Sequence, residues 1–248
     1  MSFLYKPVVN ILRKANVYDR RIANYSSTIC SLLDKAYAEP ILDIGTGAGH
    51  IANMLCMQGF TFVVGLDIDR NSVKSNKVRL FHPVLADAHH MPFRDGVFGV
   101  TLSISCIEHL DSPLACINEI GRISKQLGVC IIQLPNLQWL VEPHTKFPFL
   151  YFLPRSFSSL IKKSTRYSAL NLDVTLKKVL SWFNDSDFVN IRRIKTHHVL
   201  RISRLLPWPL GWFLIFLKLP HNAKMENPVL NRNHCARKMS HVKHKYFF

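Results

Sequence analysis

Between Ile41 and Leu134 short apolar runs alternate with segments of helical spacing, and this alternation restricts the fold more tightly than anything else in the chain. The runs are Ile41–Ile44, Phe62–Leu66, Val84–Ala86, Val97–Ser103 and Val129–Leu134, with helix-like stretches at 48–58, 70–78 and 112–125. Strands that alternate with helices pair in parallel, and strands apolar at every position are buried on both faces. An α/β fold with a mostly parallel sheet and helices on both faces is the expectation. A helical stretch at 174–183 and strand-like runs at Phe188–His197 and Trp212–Leu219 bring the expected sheet to seven strands.

The flanking segments differ in texture. Apolar residues at mixed helical spacing between Ile11 and Lys35 predict an N-terminal helical cap over 1–37, ahead of a main domain over 38–220. Proline and aromatic residues break the periodicity of PNLQWLVEPHTKFPFLYFLP, residues 135–154, so an insertion of loop and short helical piece is expected at about 137–170. Residues 221–248 lose apolar periodicity, end in RKMSHVKHKYFF and read as a mobile basic tail.

Composition excludes a disordered chain, with 48% hydrophobic and 19% charged residues over 248 positions. Six cysteines form no CxxC pair, and four of them lie in apolar stretches, which fits buried free thiols in a reducing compartment. The amino-terminal residues have no sustained apolar core and no small-residue cleavage site, so no signal peptide is read and a cytoplasmic location is expected. Leu205–Leu219, interrupted by Pro207 and Pro209, is too short and broken for a membrane span.

Net charge is +16 and uneven: residues 1–150 carry 14 Lys/Arg against 12 Asp/Glu, residues 151–248 carry 18 against 4. A basic half attracts an anionic partner, either an acidic membrane surface or nucleic acid, and a plain solvated face is the bland alternative. Arg201, Arg204, Leu205, Leu206, Trp208 and Trp212 mix cations with interfacial aromatics, making 199–218 the expected membrane-facing segment.

In ILDIGTGAGHIA, residues 41–52, Gly45, Gly47 and Gly49 follow one strand and precede a helix. Glycine there permits a tight turn and lets a ligand approach a backbone without a Cβ. A dinucleotide motif would read GxGxxG and place a pyrophosphate on the helix N-terminus. The spacing here is GxGxG and Asp43 precedes it, which repels a pyrophosphate and suits a cationic ligand such as an amino group or a sulfonium. Asp67 ends the second strand, where a carboxylate can accept from ribose hydroxyls, and Asp87 follows the third, where one can accept from an exocyclic amine.

LDIGTGAG, VVGLDID, ADAHHMPFRDGVF and IEHLDSPLACINEIGRISKQLG, in this order, resemble the class I S-adenosylmethionine (SAM)-dependent methyltransferases, in the small-molecule branch called methyltransferase type 11. The resemblance covers about residues 38–136. It implies a Rossmann-like sheet whose last strand is antiparallel and inserted between its neighbours, and SAM as cofactor. It places Asp43 near the methionine amino group and has Gly45, Thr46, Gly47 and Gly49 admit the cofactor. Asp67 would hold the ribose, Ile68 would lie beside the adenine, Asp87 would take the adenine amine, the Ala88 amide would face the ring, and Ser105 would sit near the transferring methyl. The chain departs from the pattern at Phe98-Gly99, where an Asp usually follows the Phe, and at Lys125-Gln126-Leu127-Gly128 in place of Lys-Pro-Gly-Gly.

Methyl transfer is an in-line displacement that needs an oriented nucleophile, with a general base where the acceptor is a hydroxyl or carbon. Glu108, His109 and His144 are the candidates, on loops beyond the strands' C-terminal ends. Helix-start structure is the competing reading for Glu108-His109. The adjacent pairs His89-His90 and His197-His198 have no ligand-spaced carboxylate or Cys, so no metal is expected. The expected acceptor is a small or lipid-linked molecule. RNA or protein methylation, or a non-catalytic cofactor-fold protein, are the alternatives.

Overall fold

The computed structural model describes residues 25, 28–33, 39–75, 80–138, 150–163, 170–184, 186–196 and 211–218. His144, Tyr18–Arg21, the segment 197–210 and the tail 221–248 lie outside the described residues. Seven strands are formed: β1 (Ile41–Ile44), β2 (Val63–Asp67), β3 (His82–Leu85), β4 (Phe98–Ile104), β5 (Ser124–Pro135), β6 (Phe188–Thr196) and β7 (Gly211–Lys218). Their order in the sheet is β3-β2-β1-β4-β5-β7-β6. The first five pair in parallel, and β7 enters antiparallel between β5 and β6.

The chain doubles outward from β1 in both directions, so the strand order reverses there. In open α/β sheets that reversal leaves a crevice at the C-terminal strand ends. Helices α1 (His50–Met57), α2 (Arg70–Ser75), α3 (Pro113–Ile123), α4 (Arg155–Lys163) and α5 (Leu176–Asn184) complete the described elements. The successive apolar residues of the inner strands feed two cores. Leu42, Ile44, Val64 and Leu66 join Ile117 and Ile120 of α3 and Phe183 of α5 on one face. Ile41, Val63, Val100 and Ile131 join Ile51 and Leu55 of α1 and the helical residues Ile29 and Leu32 on the other.

β7 shows why a continuous apolar run is needed at an inserted strand: Leu214 and Phe216 enter the first core and Ile215 the second. Phe183 stacks on Phe216 with ring centroids 3.8 Å apart, and meets Phe188 edge-on at 5.4 Å.

Two segments differ from the sequence expectation. The helix expected over 112–125 ends at Ile123, and β5 starts at Ser124 instead of Val129. The strand's first residues are irregular, with Leu127 at φ 61°, and regular pairing resumes at Val100 and Val129. Lys125 explains this start, because its ammonium pairs with Glu39 at 2.6 Å. A Cβ on Gly99 would lie 2.6 Å from Glu39 Cβ, so the Phe98-Gly99 departure is a packing choice that makes room for Glu39. The second difference is β3, which spans His82–Leu85 where Val84–Ala86 was expected; in the insertion, a 3-10 turn at Leu150–Phe152 falls within the expected loop with a short helical piece, and α4 follows it.

Candidate functional site

The strands β1, β2 and β4 bring Asp43, Asp67 and Ser105 to one end of the sheet. Asp43 sits beside Gly65 of β2 and Leu102 of β4, and the chain then turns sharply: the amides of Gly45 and Thr46 both donate to Leu66 O, at 2.8 and 3.0 Å. The three glycines of the turn all have positive φ, yet they do different jobs. A Cβ on Gly45 would collide with the Cys106 side chain, and one on Gly49 with the Phe81 ring. At Gly47 a Cβ would meet nothing within 4 Å. Gly45 and Gly49 therefore let the protein close on itself, and Gly47 is the glycine that faces open space.

Asp43 is buried, and burial pushes its carboxyl up to about 7. The Thr46 hydroxyl, which donates to Asp43 Oδ2 at 2.7 Å, opposes that rise, while the nearby negative charge of Asp67 adds to it. Such a carboxyl favours a cation, which would restore its ionised form. Asp67 accepts from the Gly47 amide through Oδ2 at 2.7 Å and from the Asp69 amide through Oδ1 at 2.8 Å. These bonds fix the carboxylate against the glycine turn, and a carboxylate retains further lone pairs for a ligand. Asp69 then caps α2, accepting from the Asn71 amide at 3.0 Å, in keeping with a turn role.

The Asp87 carboxyl is held below its ordinary value, first by the hydrogen bond from the His89 amide and then by the His89 ring. Both reach the same oxygen, Oδ1: the amide at 2.9 Å and Nδ1 at 2.6 Å. Nε2 of the same ring accepts from the Ser112 amide at 3.3 Å. This pattern defines the neutral tautomer with its proton on Nδ1. The carboxylate partner of His89 is a hydrogen-bonding one and was not anticipated from the sequence. Ala88 is buried in the adjoining core, and Ile68, next to Asp67, is 71% exposed. A large apolar side chain left open beside two carboxylates suits the face of a flat ligand ring.

At the exit of β4, Ser105 takes φ 51°, a left-handed conformation costly for a residue with a Cβ. Gln133 of β5 holds it there: the Ser105 amide donates to Gln133 O at 3.1 Å and the hydroxyl to Oε1 at 2.5 Å. Burial keeps the Cys106 thiol far above its ordinary value, with Cys116, Glu108, Asp67 and Asp43 acting in the same direction. The thiol therefore stays neutral and lines the turn without acting as a nucleophile. Glu108 and His109 lie on a 3-10 turn, Ile107–His109, with Glu108 fully buried and His109 part-exposed. Glu108 O accepts from the Asn171 amide at 2.8 Å, which ties the insertion's far end to this rim.

Of the residues expected at the site, Asp43, Thr46, Gly47 and Asp67 are joined by direct hydrogen bonds, and Gly45 packs against Cys106 beside Ser105. Asp87 stands on the neighbouring strand exit, where the Ala86 amide donates to Asp67 O at 3.0 Å. Gln133 and the Asp87–His89 pair were not expected. Gln133 had a signal, being the polar residue within the apolar run VCIIQLP.

A cleft of about 570 Å³ opens at the opposite end of the sheet, lined by Asp95, Arg122, Asp187 and Lys218 among others. Its cations are spent on the protein. Lys218 Nζ donates to Gly121 O and Ser124 O at the C-terminus of α3, at 2.5 and 2.8 Å. Arg122 uses all five donors on Glu119, Asp95 and the carbonyls of Met91 and Phe93. That network pins the loop 91–96, and the cleft is structural. Among the described residues no group of three or more His, Cys, Asp or Glu side chains converges as a metal site would.

Residues 42–132 match the methyltransferase domain family. An uncharacterised protein of Methanocaldococcus jannaschii is 33% identical over 102 residues, 41% of this chain and 43% of that protein, so the chain spans less than half of that relative's length. Ajmaline N-methyltransferase of Rauvolfia serpentina is 27% identical over 73% of this chain and 68% of its own length. Demethylmenaquinone methyltransferase of Tropheryma whipplei is 23% identical over 58% and 65%. The crystal structure of an S-adenosylmethionine-dependent methyltransferase of Mesorhizobium loti superposes with a TM-score of 0.59 at 11% identity, covering 77% of this chain and 96% of that one, a likeness of fold. Residues 42–132 thus match a methyltransferase domain, and the sheet built around them has the fold of that SAM-dependent methyltransferase.

Proposed function

We propose that this chain is an active methyltransferase that moves a methyl group from SAM to a small or lipid-linked acceptor. One observation carries the reading: the open backbone at Gly47 is bonded to Asp67, whose strand β2 lies between those that carry Asp43 and lead to Asp87, with Ile68 exposed next to Asp67. Three carboxylates at the same end of adjacent strands, beside an uncovered glycine, match a ligand that is cationic at one end and carries hydroxyls and an amine along its length.

When bound, SAM supplies a methyl group activated by its sulfonium. Asp43, raised by burial, is the group whose ionisation a cationic ligand would reward, and it orients the ligand's charged end. Asp67, fixed by two amides, is set to receive hydroxyls, and the Oδ2 side of Asp87 to receive an amine. Ser105, strained and tied to Gln133, holds the rim of β4 where an acceptor would meet the methyl group. Among the general-base candidates, His109 is part-exposed and keeps the general-base role in this reading, whereas the burial of Glu108 suits a structural anchor. His144 stays a candidate from sequence alone.

The small-molecule reading draws on the relatives that act on ajmaline and demethylmenaquinone. Incubation with methyl-labelled SAM and a panel of quinols, isoprenoid alcohols, amines and bulk RNA tests it. Label entering a small or lipid extract, lost in Asp67→Ala, is the expected outcome; label entering only RNA or protein would reverse the acceptor class.

A further inference from the structure

The helix α4, RSFSSLIKK, leaves large apolar side chains in water. Among its described side chains the buried one is a serine, Ser158 at 5% exposure, whose hydroxyl turns back to Arg155 O at 3.1 Å. Phe157 is 61% exposed and Leu160, one turn on, 68%. Phe152, in the 3-10 turn just before the helix, is 61% exposed, and its ring meets Tyr151 edge-on. Three large apolar side chains standing in water within nine residues constitute a patch, where isolated exposed hydrophobics would need no explanation.

Charge indicates what covers it. Arg155 and Lys163, at the two ends of the helix, are exposed, as are Lys177 and Lys178 on α5. Residues 150–184 hold six Lys/Arg and a single acid, Asp173, which pairs with Arg155 at 2.8 Å. An exposed apolar stripe edged by cations complements a bilayer whose interface accepts apolar side chains and whose headgroups are anionic. A nucleic-acid duplex would use the cations and leave the apolar side chains in water, and single-stranded bases could stack on the phenylalanines but would leave Leu160 uncovered. The position also suits a lipid source of substrate: the Arg155–Asp173 pair leads to Asn171, whose amide holds Glu108 O on the rim of the candidate site.

We propose that Phe152, Phe157 and Leu160 insert into an anionic membrane surface, so that α4 docks the chain with its site rim beside the lipid. The contact is independent of methyl transfer and stands on the described residues alone, apart from the membrane-facing segment expected at 199–218.

Co-sedimentation of the full chain with vesicles of phosphatidylcholine alone, or of an equimolar mixture with phosphatidylglycerol, tests the contact. The parent should pellet with the mixed vesicles and less with the neutral ones. The double substitution Phe157→Ser with Leu160→Ser should lower partitioning into mixed vesicles by about tenfold or more. Lys163→Glu, a milder exposed change, should lower it several-fold in mixed vesicles and leave neutral ones unaffected. Titration with S-adenosylhomocysteine runs alongside; equal affinity in parent and variants shows that the variants fold. Failure of the parent to pellet, or equal pelleting of the double variant, overturns the proposal. So does RNA binding, or self-association, that the apolar substitutions abolish while vesicle partitioning stays unchanged. If vesicles retain the parent but no protein binds S-adenosylhomocysteine, the methyltransferase reading fails and the membrane contact stands.

Discussion

Asp43 is the residue at which structure and chemistry are most tightly coupled. Its carboxyl, pushed to about 7 by burial, is largely protonated in the free protein below that pH. A bound cation lowers the value, so binding releases a proton and must strengthen as pH rises. Calorimetry across the pH range should show SAM affinity climbing by up to about tenfold per unit below pH 7 and levelling above it. The stability of the free protein runs the other way. A folded-state value raised above the unfolded one contributes stability at low pH that is lost as pH rises through about 7, so Asp43→Asn should stabilise the free protein above pH 7 by roughly 1–4 kcal/mol while abolishing SAM binding. The glycines separate equally cleanly. Gly47→Ala should cost roughly 1–2 kcal/mol of folding for its positive φ and at least about tenfold in cofactor affinity, whereas Gly45→Ala, driven into Cys106, should chiefly unfold the protein in thermal melts. His89 offers a third test: His89→Leu leaves Asp87 Oδ1 with the residue-89 amide alone and should weaken binding of S-adenosylhomocysteine about fivefold, more than it weakens the inosine analogue that lacks the amine. His89→Asn, which keeps a donor near Nδ1, should recover the preference. The carboxylates were legible in the sequence because Asp67 and Asp87 follow apolar runs and Asp43 stands just before the glycine turn. The Asp87–His89 bond was not, because it depends on a turn conformation that residue spacing leaves open.

At the scale of elements, strands were legible wherever an apolar run had to be buried on both faces. That rule located the inner strands, including β7, whose insertion between β5 and β6 followed from its family resemblance and is visible in its two-sided packing. The edge strand β3 is mostly exposed and starts at His82, two residues ahead of the apolar run that marked it. The rule failed at the start of β5, where the polar Lys125-Gln126 pair hid a strand whose Lys125 pairs with the distant Glu39. It gives no guide at α4, where Phe157 and Leu160 are exposed. The Phe183, Phe188 and Phe216 cluster joins α5 to both C-terminal strands, and Phe183→Ala should destabilise the fold by about 3–5 kcal/mol in urea unfolding. Since the cluster packs beneath the distal half of the sheet, cofactor affinity in the surviving folded fraction should change little.

The whole molecule combines a charge-balanced first 150 residues with a strongly basic remainder. On the proposed reading, cofactor recognition belongs to residues 41–89, where backbone turns and carboxylates stand at fixed places on the sheet. The same reading leaves the acceptor to side chains outside that frame, because a fold does not by itself fix the chemistry it hosts. The central claim is that the open glycine turn and its three carboxylates hold SAM. Isothermal titration of the full chain with SAM tests it most directly. The account predicts saturable one-site binding in the micromolar range, lost in Asp67→Ala and falling below pH 7; absence of any heat of binding at millimolar SAM, or unchanged binding in Asp67→Ala, would contradict it.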